Sequence, residues 1–260
     1  MAAALFHHGV RVLRNEGWRA AYAKGMKHLI HLSRFGAAIM RRRIRVLPTN
    51  LKASELVEFV WNAQSGLLRP FQIRWELESL LEYVFADEQP KVVMEIGSFN
   101  GGTLFLFSRL SDRGATIVSL DLPGGEYGGG SPEWKVPLFR AFPTPGQEIH
   151  LLRGNSHEAG SLEKVKRVLA GRQIDFLFID GDHTYDGVKQ DFEMYAPLVR
   201  PGGIVGFHDI AHHRPEANCQ VDEFWSEIKE NYEHKEFLAD PDQRWAGIGV
   251  LKKTAESPVS

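Results

Sequence analysis

The chain has 260 residues, 43% of them hydrophobic and 25% charged, which is room for one complete α/β domain with an extension. The net charge is only −2, yet Met1–Leu47 holds ten Lys and Arg against a single acid, Glu16, so a basic segment precedes an acidic remainder. The one cysteine, Cys219, excludes an internal disulfide framework and a multi-cysteine zinc site, and no apolar run approaches the ~20 residues needed to span a bilayer.

Residues 10–35 follow a helical period. Trp18, Ala21, Tyr22, Gly25, Met26, Leu29 and Leu32 share one face, with Arg19, Lys24, Lys27, His31 and Arg34 opposite. Two readings stay open for such a basic amphipathic helix. It docks on its own domain or a second subunit of a homo-oligomer, or it lies on an anionic membrane surface. The N-terminus lacks the apolar core of a signal peptide, so a cytoplasmic protein, with or without peripheral membrane contact, is expected. Arg41-Arg42-Arg43 is followed by no aromatic platform or nucleic-acid motif, and no nucleic acid is expected.

Residues 1–47 are thus read as a helical extension and 48–90 as a helical lead-in. Ser54 is placed to cap a short helix carrying Leu56, Val57, Val60 and Trp61. Gln72–Phe85 sets Ile73, Leu77, Leu80, Leu81 and Val84 on one stripe. Alternation then begins and occupies 91–252, leaving 253–260 as a tail. Strands are expected at Val92–Ile96, Thr116–Leu120, Glu148–Leu152, Ile174–Ile179 and Ile204–Phe207. Helices fall between them at Thr103–Leu110, Glu158–Ala170 and Thr184–Leu198, the last closed by Pro201-Gly202-Gly203, with a short one within Pro132–Phe142. A helix at Val221–Tyr232 turns Phe224, Trp225 and Ile228 inward. Lys235–Leu238 and Ala246–Leu251 read as a closing antiparallel hairpin. This alternation means a doubly wound, Rossmann-like α/β sheet.

Ligands of such sheets bind at the carboxyl ends of the strands, and the polar residues collect there. After the first strand, Gly97-Ser98-Phe99-Asn100-Gly101-Gly102 is a glycine turn opening a helix, spaced G-x-x-x-G-G rather than as the dinucleotide pattern G-x-G-x-x-G. Asp121 ends the second strand, where a carboxylate can accept both hydroxyls of a ribose. Gly154-Asn155-Ser156 follows the third strand and reads either as cofactor contact or as an ordinary turn and helix cap. Asp180, Asp182 and His183 follow the fourth strand, with Asp182 read as a helix cap; His208 and Asp209 end the fifth. A histidine near its unperturbed pKa of ~6.5 is a suitable proton acceptor at neutral pH. His212 and His213 follow in a polar loop and either contact substrate or are merely exposed.

Glu95-Ile96-Gly97, Gly101-Gly102-Thr103, Asp121, Ile179-Asp180-Gly181-Asp182-His183-Thr184-Tyr185, Pro201-Gly202-Gly203 and His208-Asp209, in this order, resemble a class I S-adenosylmethionine (SAM) methyltransferase. More narrowly they resemble the branch that includes the cephalosporin-biosynthesis and macrolide-sugar (macrocin-type) O-methyltransferases. The resemblance covers about Gln72 to Leu251 and implies a seven-stranded sheet whose last strand is antiparallel. It also implies that Gly97 and Gly101 face the methionine part of SAM, that Glu95 supports the loop or the amino group, that Asp121 binds the ribose and that Asn155 and Ser156 flank the adenine.

In the macrolide-sugar relatives a metal lies between an Asp after one strand and an acidic pair after the next. Those positions fall on Asp180, counted with both cofactor and metal, and on His208 and Asp209, with His183 in the place of the catalytic base. His208 stands where an acidic ligand is expected. The cation implied is Mg²⁺, with Mn²⁺, Fe²⁺ or Zn²⁺ better suited to imidazole. The function implied is O-methylation of a small-molecule acceptor, a sugar or natural product. An NAD-type oxidoreductase and a non-catalytic protein of the same fold are the rival classes.

Overall fold

The computed structural model describes residues 34–123, 130–214 and 217–254. The basic helix expected at 10–35 lies outside them except for Arg34 and Phe35. Eight α-helices occur among the described residues: α1 Arg34–Arg45, α2 Ala53–Asn62, α3 Arg74–Phe85, α4 Gly102–Leu110, α5 Val136–Phe139, α6 Ala159–Leu169, α7 Tyr185–Tyr195 and α8 Val221–Ile228. Seven strands, β1 Val92–Ile96, β2 Thr116–Asp121, β3 Glu148–Arg153, β4 Ile174–Ile179, β5 Val199–His208, β6 Glu233–Phe237 and β7 Ile248–Lys252, form one sheet in the order β3-β2-β1-β4-β5-β7-β6. The first five run parallel, and β7 lies antiparallel between β5 and β6. The expected seven-stranded sheet and closing hairpin are both present.

Strand side chains alternate between two apolar layers. Val93, Ile117, Phe176 and Phe178 pack under α1–α4, with Met40, Ile44, Val57, Leu80 and Phe107 among the fully buried residues there. Met94, Val118, Leu177 and Val205 face the other layer, filled by Val165, Val188, Phe192, Phe224 and Trp225 from α6, α7 and α8. A sheet covered on both faces explains the unbroken apolar runs of β1 and β4. It also means that α1, the described end of the basic segment, docks through Ala37, Met40 and Ile44 on the same core as the sheet.

Three local expectations are corrected. Ser54 does not cap α2: the helix starts one residue earlier, and the Glu55 carboxylate accepts the Lys52 N–H at 2.8 Å. The helix after β4 ends at Tyr195 and tightens into one 3₁₀ turn, Ala196–Leu198, because Pro197 has no N–H to continue it. Pro201-Gly202-Gly203 therefore lies inside β5, where the register with β4 shifts between Ile174 and Phe176. Gly202, at φ +76°, bonds through its N–H to Lys253 O at 2.6 Å.

Register sets the site. Ile96 pairs with Leu120 and with Ile179, and Ile179 pairs with Phe207. The next residue of each strand, Gly97, Asp121, Asp180 and His208, thus stands in one row at the carboxyl edge. No helix among the described residues is long and apolar enough to cross a membrane.

Candidate active site

The turn after β1 is pressed against β4. The Gly97 N–H donates to Leu120 O and the Asp180 N–H to Ile96 O, both at 2.9 Å. With φ at +85°, Gly97 leaves no space for a side chain, since a Cβ there would lie 1.9 Å from Asp180 O. Gly101, at φ +82°, is the N-cap of α4, and its Cβ would meet the Phe139 ring at 2.4 Å. Only glycine takes this backbone at such close approach. Beneath the turn, Glu95 is fully buried and neither carboxylate oxygen has a hydrogen-bond partner. Burial pushes its carboxyl up to about 8, with nearby Ser98 and Thr103 tempering the rise.

Asp121 accepts the Ser98 N–H on Oδ1 at 3.3 Å and the Ser131 N–H on Oδ2 at 2.5 Å. Asn155 turns its Oδ1 back to the His157 N–H at 2.9 Å, and Ser156 O accepts the Tyr195 hydroxyl at 2.7 Å. This loop is level with Asp121, whose carbonyl accepts the Gly154 N–H at 3.0 Å. Sequence reasoning missed Lys135, which is buried and donates to Asn100 Oδ1 at 2.7 Å; burial pushes its ammonium down to about 8. It also missed the ion pair between His157 Nε2 and the buried Asp191, 3.3 Å apart, which raises His157 through that hydrogen bond.

Asp180, His183, His208 and Asp209 meet in one cluster. His208 Nδ1 lies 3.2 Å from both Asp180 Oδ1 and Asp209 Oδ2, while its Nε2 is buried without a partner. His183 spans the same two acids, Nε2 at 3.6 Å from Asp180 Oδ1 and Nδ1 at 3.3 Å from Asp209 Oδ2. Burial alone would lift both carboxyls and lower both imidazoles, but the paired charges prevail. Asp180 is held below its ordinary value and Asp209 well below, while His183 is raised and His208 raised well above the usual imidazole range.

Two further side chains complete the cluster. Gln72 Nε2 donates to Asp180 Oδ2 at 2.7 Å. His213 Nε2 sits 3.1 Å from Asp209 Oδ1, whose hydrogen bond pushes that imidazole up to about 10. The histidine pair thus divides, since His212 is exposed and pairs with Asp222 at 2.8 Å. Asp182 is not the cap of α7. It braces the cap instead, accepting the Thr184 N–H at 2.9 Å, while Thr184 Oγ1 accepts the Gly187 N–H at 3.1 Å. A separate cavity of about 430 Å³ opens between α1 and Glu133–Leu138, lined by none of the cluster residues.

The glycine turn, Asp121 and the acid–histidine cluster thus stand level at the carboxyl edge of the sheet. Residues 94–210 match a family model described as a methyltransferase domain, and that span runs from β1 to just beyond Asp209. Among solved structures, an O-methyltransferase from Bacillus cereus in complex with SAH aligns over 83% of this chain and 97% of its own, with TM-score 0.53 and 17% identity. TomG from Streptomyces achromogenes, an O-methyltransferase of tomaymycin synthesis in complex with SAM, aligns over 78% and 89%, with TM-score 0.51 and 17% identity. MycE, a methyltransferase of the mycinamycin pathway in complex with Mg and SAH, aligns over 81% and 57%, with TM-score 0.51 and 18% identity.

Over residues 94–210 the chain is thus similar to a methyltransferase domain, and its fold is that of solved SAM-dependent O-methyltransferases. Its relatives by sequence include the uncharacterized protein R132 of Acanthamoeba polyphaga mimivirus, 27% identical over 149 residues, 56% of this chain and 63% of R132. The uncharacterized protein y4gI of Sinorhizobium fredii (strain NBRC 101917 / NGR234) is 27% identical over 148 residues, 54% of this chain and only 15% of y4gI.

Proposed function

We propose that the protein transfers the methyl group of SAM to a hydroxyl of a small molecule, a sugar or natural-product scaffold, with help from a divalent cation. The observation that carries this reading is the level row Gly97, Asp121, Asp180 and His208, which sets the glycine turn beside the acid–histidine cluster. SAM supplies an electrophilic methyl group on sulfonium sulfur. Gly97 and Gly101 face its methionine part, the Glu95 carboxyl faces its ammonium, Asp121 accepts the ribose hydroxyls, and Asn155 and Ser156 flank the adenine.

Asp180, His208 and Asp209 fit a divalent cation, since one donor atom from each lies within 4.8 Å of the others. Two carboxylates suit Mg²⁺, the metal named with MycE, while the imidazole favours Mn²⁺, Fe²⁺ or Zn²⁺. A cation there, when bound, lowers the pKa of the acceptor hydroxyl. Asp209 holds His183 Nδ1, leaving Nε2, at its longer 3.6 Å contact with Asp180, to take the hydroxyl proton.

The test is Asp180→Ala. Methyl transfer should vanish while SAM affinity stays nearly intact. Loss of SAM binding with activity per bound SAM unchanged would sink the assignment, and activity surviving thorough chelation would remove the cation from it.

A further inference from the structure

The proposed reaction leaves Cys219 and His213 without a task, yet both stand against Asp209. One donor atom each from His183, Asp209 and Cys219 lies within 4.8 Å of the other two. His213 holds the other carboxylate oxygen, with Nε2 at 3.1 Å from Asp209 Oδ1. The Gln220 N–H donates to His183 O at 2.8 Å, so the backbone itself holds Cys219 beside His183.

This set differs in kind from the neighbouring Asp180, His208 and Asp209. A thiolate with one imidazole and one carboxylate is a borderline-soft donor set, which selects Zn²⁺ over Mg²⁺. Bonds of about 2.3 Å to sulfur and 2.0–2.1 Å to nitrogen in a tetrahedron separate donors by roughly 3.3–3.7 Å. His183 Nδ1 already stands 3.3 Å from Asp209 Oδ2. His213 supplies the outer support that metal-binding groups use, its Nε2 on Asp209 Oδ1 at 3.1 Å and its Nδ1 2.7 Å from Ala211 O.

We propose that His183, Asp209 and Cys219, with His213 holding the other oxygen of Asp209, form a second, softer cation site, suited to Zn²⁺, and that its occupancy stops methyl transfer. Binding follows from the donor set alone. Inhibition rests on the proposed reaction, because the cation would take the nitrogen of His183 that Asp209 otherwise holds and would share Asp209 with the first site.

Cobalt(II) reports on such a site through a thiolate-to-metal charge-transfer absorption, and with one cysteine in the chain that signal has a single source. The full-length protein, freed of metal, should show the band on addition of Co²⁺ and lose it to Zn²⁺. Cys219→Ser should lack the band while keeping its basal activity, and His213→Ala should bind Co²⁺ at least about tenfold more weakly. No band in the wild type, or one of undiminished affinity in His213→Ala, overturns the site. Zn²⁺ should inhibit the wild type at far lower concentration than Cys219→Ser. A cobalt band with equal zinc sensitivity in both proteins leaves the site standing and overturns the inhibition, and with it the task given to His183.

Discussion

Gln72 and Asp180 are 108 residues apart in the chain and 2.7 Å apart in the fold, the amide Nε2 donating to carboxylate Oδ2. Asp180 Oδ1 faces His208 and His183, so Gln72 fixes the remaining oxygen and with it the rotation of the carboxylate. Side chains that orient a reacting or ligating group commonly govern rate about 10–100-fold. Gln72→Ala should lower kcat by about tenfold while the KM for SAM stays within about twofold. Gln72→Glu should be worse, since it sets a second carboxylate against Asp180. Steady-state kinetics on both variants checks this, and a change confined to the KM for SAM would remove Gln72 from the chemical half.

Gly97 and Gly171 offer an internal comparison. Both adopt the left-handed region, at φ +85° and +83°, but a Cβ on Gly97 would strike Asp180 O at 1.9 Å while one on Gly171 meets nothing within 4 Å. Gly171→Ala should cost only backbone strain, about 1 kcal/mol. Gly97→Ala must also force β1 from β4 and should cost roughly 2–4 kcal/mol, with SAM affinity falling at least tenfold. Urea unfolding and SAM titration of the pair measure both. Equal costs would mean that the close approach to β4 carries no weight.

Glu76 is a buried carboxylate with a structural task. Its Oε1 accepts the Ala239 N–H at 3.1 Å and Gln243 Nε2 at 2.7 Å, and its Oε2 accepts the Gly247 N–H at 3.0 Å. Those donors belong to the β6–β7 loop, whose Ala246 O in turn accepts the Ala211 N–H at 2.9 Å, two residues beyond Asp209. Glu76→Ala orphans three donors and should destabilise by about 2–4 kcal/mol. Thermal or urea unfolding reads this directly, and a loss under about 1 kcal/mol would show that water replaces the carboxylate without penalty.

What was legible in the sequence is what periodicity and local turns encode. Val92–Ile96 and Ile174–Ile179 were read to the residue, because strands buried on both faces leave unbroken apolar runs bounded by polar ends. The level row followed, since Gly97, Asp121, Asp180 and His208 each close such a run. Gln72 and Glu76 were not legible in this way. Gln72 precedes α3 and Glu76 stands in its first turn, both beside the apolar stripe that defines the helix, and polar residues there read as solvated until the groups they bind are in place. His213 had the same difficulty, being separated from its exposed neighbour His212 only by tertiary contact. The β5 error was chemical: Pro201-Gly202-Gly203 was given to a helix end, whereas Pro197 had already stopped that helix.

Glu95 carries a prediction in pH. Its carboxyl, ordinarily near 4.5, is pushed up to about 8 by burial, so the native state binds this proton more tightly than the unfolded chain does. The stability it confers is fully present below about pH 4.5 and is lost as pH rises through about 8. Over that window the loss is on the order of 5 kcal/mol. Glu95→Gln, which cannot ionise, should flatten the fall, so that the variant overtakes the wild type in urea stability between pH 5 and pH 8. The same group should report cofactor binding. An ammonium placed against Glu95 ionises it, so SAM binding near pH 7 should release close to one proton in the wild type and none from this site in Glu95→Gln. Calorimetry in two buffers of different ionisation enthalpy counts that proton. Equal release from both proteins would move the SAM ammonium away from Glu95 and leave the buried carboxyl with a purely structural part.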